Sequence, residues 1–245
     1  MQYGTGTQRV PVPRQGTFRV PWVFHVEHGR VRAVRTWHTA GVTTSDLDTV
    51  LEESRSLGFL GPGPIGPQRH HAEAFLSLLH GRSRILDLGS GGGLPGLVLA
   101  LALPGVQFVL LDGNVRRCRF LERSVAELGL EDRVQVALGR AEELARQPDL
   151  RGSFDTVVAR SFGPPAATAE CAAGFLSGPG ATLVVSEPPD GSAERWPAEG
   201  LLQLGMRPGQ LYHIDGVTLQ EIDVVSPCDD SVPRRVGIPT KRPRF

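Results

Sequence analysis

The most informative segment of this chain for predicting its fold is Ile85-Leu86-Asp87-Leu88-Gly89-Ser90-Gly91-Gly92-Gly93-Leu94-Pro95-Gly96. Its first four residues predict a short buried strand. The glycines that follow permit positive φ and remove side chains where a ligand must approach the backbone. Leu94–Leu103 then predicts a helix with Pro95 in its first turn, where a missing N–H costs nothing. A strand that runs through a glycine-rich loop into a helix offers free N–H groups to a ligand.

Strands and helices alternate from this stretch onward. The predicted strands are Ile85–Leu88, Phe108–Leu111, Val134–Ala137, Phe154–Ala159, Ala181–Val185 and Gln220–Val225. Helices are predicted at Leu94–Leu103, after a cap at Asn114, at Ala141–Ala145 and at Pro165–Phe175. Alternation with nearly continuous apolar strands indicates an α/β fold with a mostly parallel sheet and helices on both faces. The ligands of such sheets bind at the carboxyl ends of the strands.

The chain outside this alternation divides into three parts. Residues 1–40 show no sustained period, and we expect little packed structure there. Residues 44–80 predict two N-terminal helices, the first capped by Ser45 or Asp46 and stopped by Gly58. Residues 81–226 form the α/β domain, and residues 227–245 form a basic C-terminal tail.

Composition sets the broad class of protein. Hydrophobic residues make up 40% and charged residues 21% of the 245 residues, as in globular proteins. No apolar run reaches the length of a membrane span, and no leader opens the chain, so we expect a cytoplasmic protein without membrane contact. The cysteines Cys118, Cys171 and Cys228 lie far apart and predict neither a disulfide framework nor a metal site.

The net charge of zero conceals an uneven distribution. Residues 1–40 carry six arginines and one acid, and residues 234–245 carry five basic residues and no acid. The residues between them therefore hold 15 of the 26 basic and 25 of the 26 acidic side chains. Basic ends on an acidic body suggest contact with a polyanion, although terminal charges are commonly just solvated.

Two ligand classes compete for the glycine-rich loop. Gly91, Gly93 and Gly96 fit the G-x-G-x-x-G pattern of dinucleotide-binding proteins. Asp87, Gly89, Gly91 and Gly93 fit the D-x-G-x-G-x-G loop of methyltransferases, which starts inside the strand as it does here. A tight turn without a ligand is the third possibility.

Three charged residues at later strand ends are candidates for the same site. Asp112 ends the second strand, where an acid accepts hydrogen bonds from ribose hydroxyls; alternatively, it caps the next helix. Glu142 either helps to bind adenine or complements a helix dipole. Arg160 either clamps an anionic group or forms a structural ion pair with Asp155 or Glu187.

Taken in order, the motifs resemble those of one family, the glucose-inhibited division protein B family of small-subunit ribosomal RNA guanine-N7 methyltransferases. The resemblance rests on the loop 85–96 with its Leu-Pro-Gly end, and on four further segments. These are Leu110–Leu121, Gly139–Glu143, Val158–Phe162 and the basic segment Pro233–Pro243. The family's Asn-Leu-Thr and His-x-x-Asp-Ser motifs are absent, and Val185–Pro189 replaces its usual Leu-Lys-Gly.

The resemblance implies a Rossmann-like class I methyltransferase fold with seven strands and S-adenosylmethionine as the cofactor. The implied cofactor-binding residues are Gly89, Gly91, Gly93, Leu94, Asp112, Ala141, Glu142 and Arg160. The implied RNA-binding residues are Arg234, Arg235, Lys241 and Arg242. The substrate would be small-subunit ribosomal RNA or the ribosomal subunit, and we expect a monomer. Guanine N7 carries a lone pair and no proton, so no catalytic base and no metal is expected.

Alternative functions differ in cofactor or in chemistry. A methyltransferase with another substrate would keep the same cofactor. An NAD-dependent dehydrogenase would need a second domain that carries an acid/base residue, and the C-terminal third is too small for one. A non-catalytic RNA-binding or ribosome-assembly protein could retain the fold without turnover.

One N-terminal segment suggests a different origin. Val23–His28 can be encoded by TGTTCCACGTGGAACA with a G before it and a pyrimidine after it. The 16-base sequence is a perfect palindrome and resembles partition-protein binding sites. We therefore hypothesise that about the first 30 residues are translated DNA-site sequence and that the true start lies downstream. The genomic codons test this, because other synonymous choices break the palindrome.

Overall fold

The computed structural model describes Trp22–Glu27, Arg30–Arg35 and residues 43–245, and the chain divides after Thr36 into two units. In the first unit, β1 (Trp22–Glu27) pairs antiparallel with β2 (Arg30–Arg35). The sequence predicted little packed structure over residues 1–40, and this pair of strands differs from that prediction. The rest of that prediction lies outside the described residues.

The second unit begins with helices. They are α1 (Thr44–Ser56), α2 (Ile65–Glu73) and a 3-10 turn at Ala74–Leu78. The cap of α1 is Thr43 rather than Ser45 or Asp46, because a reciprocal pair of bonds forms there. Asp46 Oδ2 accepts from the Thr43 N–H at 2.7 Å, and the Asp46 N–H donates to Thr43 Oγ1 at 3.3 Å.

A seven-stranded sheet forms the centre of this unit. Its strands are β3 (Arg84–Leu88), β4 (Gln107–Asp112), β5 (Val134–Leu138), β6 (Thr156–Ala159), β7 (Thr182–Glu187), β8 (Met206–Ile214) and β9 (Val217–Val224). They lie in the order β5-β4-β3-β6-β7-β9-β8. The first five are parallel, β9 is antiparallel to β7, and β8 is antiparallel to β9. The connections run from β3 outward to β4 and β5, and the chain then returns to β6 on the other side of β3. The order of the strands therefore reverses between β3 and β6, and α/β sheets bind ligands at such a position.

Helices cover both faces of the sheet. They are α3 (Gly96–Ala102), α4 (Val115–Glu127), α5 (Ala141–Leu144), α6 (Pro165–Ala173), α7 (Ala198–Leu202) and α8 (Ile238–Lys241). Residues that alternate along each strand enter different cores, as the pleat requires. Ile85 packs with α1 to α4 in one core, whereas Leu86 packs with α5 to α7 in the other. This two-sided burial explains the continuous apolar strands of the sequence.

The C-terminal residues 227–245 pack against the domain. Arg151 Nη1 donates to the Val232 carbonyl at 2.9 Å, and Arg146 Nη2 donates to the Ser231 carbonyl at 3.0 Å. Phe245 lies against Gly200, where an added Cβ would meet its ring at 2.3 Å. The basic tail predicted from the sequence is thus fixed to the domain through its backbone carbonyls.

Candidate functional site

A cavity of about 410 Å³ opens at the carboxyl ends of β3, β4, β5 and β6. It lies beside the position where the strand order reverses. The residues that line it are Gly89, Leu111, Asp112, Gly113, Asn114, Arg117, Gly139, Arg140, Ala141, Glu142, Ser161 and Phe162. The strand ends that the sequence singled out are therefore brought together in one place.

Glycine is required at the mouth of β3. Gly89 has φ +77°, and a Cβ on it would lie 2.6 Å from Cδ2 of Phe162. Gly93 has φ +99°, and a Cβ on it would lie 2.5 Å from a methyl carbon of Leu97. Gly89 lines the cavity. Gly91, Gly93 and Leu94 lie outside its lining, and the two glycines instead allow the path of the loop.

Asp112 connects the glycine loop to the start of α4. Its Oδ2 accepts from the Gly91 N–H at 2.9 Å, and its Oδ1 accepts from the Asn114 N–H at 2.8 Å. Asn114 is the cap of α4, since its Oδ1 accepts from the N–H of Arg116 at 2.9 Å. The alternative that Asp112 merely caps this helix is therefore wrong. Each carboxylate oxygen has a further lone pair, so Asp112 can still accept from ribose hydroxyls.

Asp87 stabilises the loop from beneath. The residue is fully buried, and its Oδ2 accepts from the Gly96 N–H at 3.0 Å at the start of α3. Its Oδ1 has no hydrogen-bond partner among the described residues. Burial raises the pKa of this carboxyl to about 7, and hydrogen bonds from Ser90 and Gly96 only partly oppose the rise.

Glu142 links the cavity to the C-terminal segment. Its side chain is almost fully buried, and its Oε1 accepts from the Gly237 N–H at 2.9 Å. Arg140 Nη2 lies 3.5 Å from the same oxygen. Glu142 and its neighbour Ala141 both line the cavity. Two alternative roles were predicted for Glu142, in adenine binding and at the helix dipole, and the structure adds this contact with residue 237.

Arg160 is not among the residues that line the cavity. Its Nη1 lies 3.4 Å from the Gln68 carbonyl on α2, and burial lowers the pKa of the guanidinium. The alternative of an ion pair with Asp155 or Glu187 is wrong. Asp155 accepts from the Ser83 and Arg84 N–H groups, and Glu187 pairs with Arg195.

Five of the residues that line the cavity were not predicted as site residues from the sequence. These are Asn114, Arg117, Arg140, Ser161 and Phe162. Each lies within five residues of the end of a parallel strand, which is the signal that could have found them. Ser161 also has φ +56°, an uncommon backbone conformation for serine.

The basic C-terminal residues separate into two groups. Arg234 Nε donates to Glu170 at 2.7 Å, and Glu170 is fully buried. Arg234 is therefore used in an internal ion pair, whereas Arg235, Lys241 and Arg242 are exposed.

The cavity fits a nucleoside cofactor. Its floor at Gly89 is bare backbone that a larger residue would fill, and Asp112 supplies acceptor oxygens beside it. Among the described residues no group of three or more His, Cys, Asp or Glu side chains could hold a metal ion. Among the same residues no helix is long and apolar enough to cross a bilayer.

Solved structures share this architecture. A putative O-methyltransferase from Klebsiella pneumoniae superposes with a TM-score of 0.53 at 18% identity, over 76% of this chain and 92% of that chain. An O-methyltransferase from Bacillus cereus, solved in complex with SAH, gives 0.53 at 15% identity over 76% and 93%. Fold and strand order together are those of the class I methyltransferase fold.

Relatives in sequence define the family. The model of the rRNA small subunit methyltransferase G family matches residues 70–187. Ribosomal RNA small subunit methyltransferase G of Prochlorococcus marinus (strain MIT 9313) is 37% identical over 65% of this chain and 67% of that protein. The protein of the same name from Deinococcus deserti is 34% identical over 68% and 70%. The chain belongs to the rRNA small subunit methyltransferase G family.

Proposed function

We propose that this chain transfers a methyl group from S-adenosylmethionine to N7 of one guanine in small-subunit ribosomal RNA. The observation that carries the proposal is the glycine-floored cavity at the ends of β3 and β4, with Asp112 at its edge. Membership of the family supports the RNA substrate. The N7 position follows from the resemblance of the sequence motifs.

The residues of the cavity suit binding and alignment. When bound, the cofactor supplies an electrophilic methyl group on a sulfonium. The carboxylate of Asp112 accepts from hydroxyl groups, and the bare backbone of Gly89 allows close approach. Guanine N7 needs no base, so this chain contributes orientation and exclusion of water. Gly91, Gly93, Leu94 and Arg160 remain candidates for contacts with the cofactor or the target base.

The substrate side of the proposal involves the exposed basic residues. Arg235, Lys241 and Arg242 would hold phosphates near the cavity, because the Gly237 N–H of the same segment bonds to Glu142. A base in folded RNA must leave its stack to reach the cofactor. A role with ribosomal RNA also supports a cytoplasmic location, and we propose that the chain acts there as a monomer.

Mass mapping of small-subunit RNA tests the function. RNA from cells that lack the gene should miss one 7-methylguanosine, and the wild-type gene should restore it. A gene that carries Asp112→Ala should not restore it, since the glycine loop loses its brace. An unchanged RNA mass map in the deletion strain would contradict the proposed substrate. A chain that binds NAD and not S-adenosylmethionine in calorimetry would contradict the cofactor.

A further inference from the structure

A second concave surface lies beside the cofactor cavity. Its charged side chains are mostly basic, whereas the body of the chain is acidic. It is a groove of about 470 Å³ between the residues that follow α1 and the outer face of α4. The residues that line this groove, which we call the α4 groove, are Leu57, Phe59, Arg116, Arg119, Phe120, Glu122 and Arg123.

Basic side chains are concentrated on this helix. The segment 116–123 contains four arginines and one acid, although the residues from 41 to 233 hold 15 basic and 25 acidic side chains. Arg116, Arg119 and Arg123 are all exposed, and their spacing of three and four places them on one face. Arg123 Nη2 pairs with Glu53 at 2.8 Å. Arg116 and Arg119 have no salt bridge with any described residue.

The groove also presents apolar surface next to these charges. Leu57 is 39% exposed, although it ends a helix that packs on the core. The ring of Phe59 is half-buried and packs edge-on against Phe120, with centroids 5.7 Å apart. The guanidinium carbon of Arg116 lies 5.8 Å from the centre of the Phe59 ring. Flat π surfaces among arginines are what single-stranded nucleic acids bind, through stacking and phosphate contacts.

The α4 groove and the cofactor cavity are lined by neighbouring residues at the start of α4. Asn114 and Arg117 line the cavity, whereas Arg116 and Arg119 of the same turns line the groove. The end of α1 also touches the glycine loop, because Ser54 Oγ donates to the Gly92 carbonyl at 2.9 Å. A single strand of RNA bound at the Arg116 end of the groove would therefore lie next to the cofactor cavity.

We propose that the α4 groove binds the single-stranded RNA that flanks the target guanine. This inference rests on the proposed function, since a polyanionic substrate is what the exposed arginines complement. Arg116 and Arg119 hold phosphates, and Phe59 stacks on a base. The alternative occupant is an acidic protein surface of the ribosomal subunit, and the experiment below distinguishes RNA binding from this protein contact.

The test compares two double variants of equal charge change. Arg116→Gln/Arg119→Gln alters the groove. Arg82→Gln/Arg207→Gln is the control, because Arg82 precedes β3 and Arg207 lies at the amino end of β8, at the edge of the sheet opposite the cavity. The probe is a labelled single-stranded fragment of small-subunit RNA that contains the methylated guanine, and calorimetry with S-adenosylmethionine reports on the cofactor site.

The groove variant should bind the fragment roughly tenfold more weakly at 0.1 M salt, with a salt dependence smaller by about one phosphate contact or more. Its cofactor affinity and the RNA affinity of the control should stay unchanged. Phe59→Leu keeps apolar packing on Phe120 and removes the flat ring, so it should weaken RNA binding roughly fivefold or more.

Wild-type RNA affinity in both groove variants would overturn the proposal. Unchanged affinity for the fragment with lost methylation of intact subunits would also overturn it, in favour of a protein contact. The proposed function fails by a different result, namely a wild-type chain that binds S-adenosylmethionine and methylates no ribosomal RNA. The two failures are therefore distinguishable.

Discussion

At the residue scale, a single buried carboxyl should make stability depend on pH. Asp87 has a pKa of about 7 in the folded chain, against 3.8 ordinarily, because burial disfavours its charged form. Folding then takes up a proton between about pH 4 and 7, so this group's contribution is complete below pH 4 and is lost as pH rises through 7. Asp87→Asn keeps an acceptor for Gly96 and cannot ionise.

We therefore expect Asp87→Asn to lose less stability than the wild type between pH 5 and 8. The difference should be on the order of a few kcal/mol, measured by urea denaturation at both pH values. A parallel pH dependence of the two proteins would show that Asp87 ionises normally.

The second residue-scale expectation concerns glycine at the mouth of β3. Gly89 and Gly81 have nearly equal φ, +77° and +75°, but only at Gly89 does an added Cβ meet a neighbour, at 2.6 Å. Gly81→Ala should cost about 1 kcal/mol of stability and leave cofactor affinity unchanged. Gly89→Ala should add displacement of Phe162 in the cavity and lower affinity for S-adenosylmethionine by at least about tenfold, measured by calorimetry. Equal affinities in the two variants would contradict this role of Gly89.

At the element scale, the sequence predicted the first five strands of the sheet well, since each is an apolar run that ends in a turn or a polar residue. It missed β8, where Arg207, Pro208, Gly209 and Gln210 interrupt any alternation. Pairing with β9 overrides that weak local preference, through a register shift between Pro208 and Leu211. The positions of Asp112 and Glu142 at the site were predictable from strand ends. The contact of Arg160 with the Gln68 carbonyl was not predictable, because it depends on the packing of α2 nearby.

The ion pair between α6 and the C-terminal segment carries the expectation at this scale. Glu170 is fully buried and depends on Arg234, with Arg244 Nε 3.4 Å away as a second partner. Arg234→Gln should therefore destabilise the domain by about 3 kcal/mol, because a buried carboxylate loses its main partner. The exposed Arg235→Gln should change stability by less than about 0.5 kcal/mol. Equal denaturation midpoints for both variants would contradict the structural role of Arg234.

At the scale of the whole molecule, charge asymmetry in the sequence predicted a polyanion surface but not which arginines form it. Net charge sums residues regardless of burial, so Arg234 counted equally with its exposed neighbours. Only tertiary packing distinguishes them: Glu170 holds Arg234, whereas Arg235, Lys241 and Arg242 face solvent.

We expect Arg235→Gln/Lys241→Gln/Arg242→Gln to weaken binding to small-subunit RNA and to flatten its salt dependence by up to about three phosphate contacts. Cofactor affinity should stay unchanged, since none of the three lines the cavity. Filter binding from 50 to 200 mM salt measures the slope. An unaltered slope would move the RNA surface away from this segment.

The hydrogen bond from the Gly237 N–H to Glu142 joins two parts of the chain that lie far apart in sequence. Thermodynamic linkage makes any such connection work in both directions. If occupancy of the cavity steadies the Glu142 carboxylate, it also strengthens the attachment of the segment around Gly237. A molecule that pulls this segment outward would then loosen the cofactor by the same factor, so that arrival of substrate and retention of cofactor are coupled through one peptide N–H.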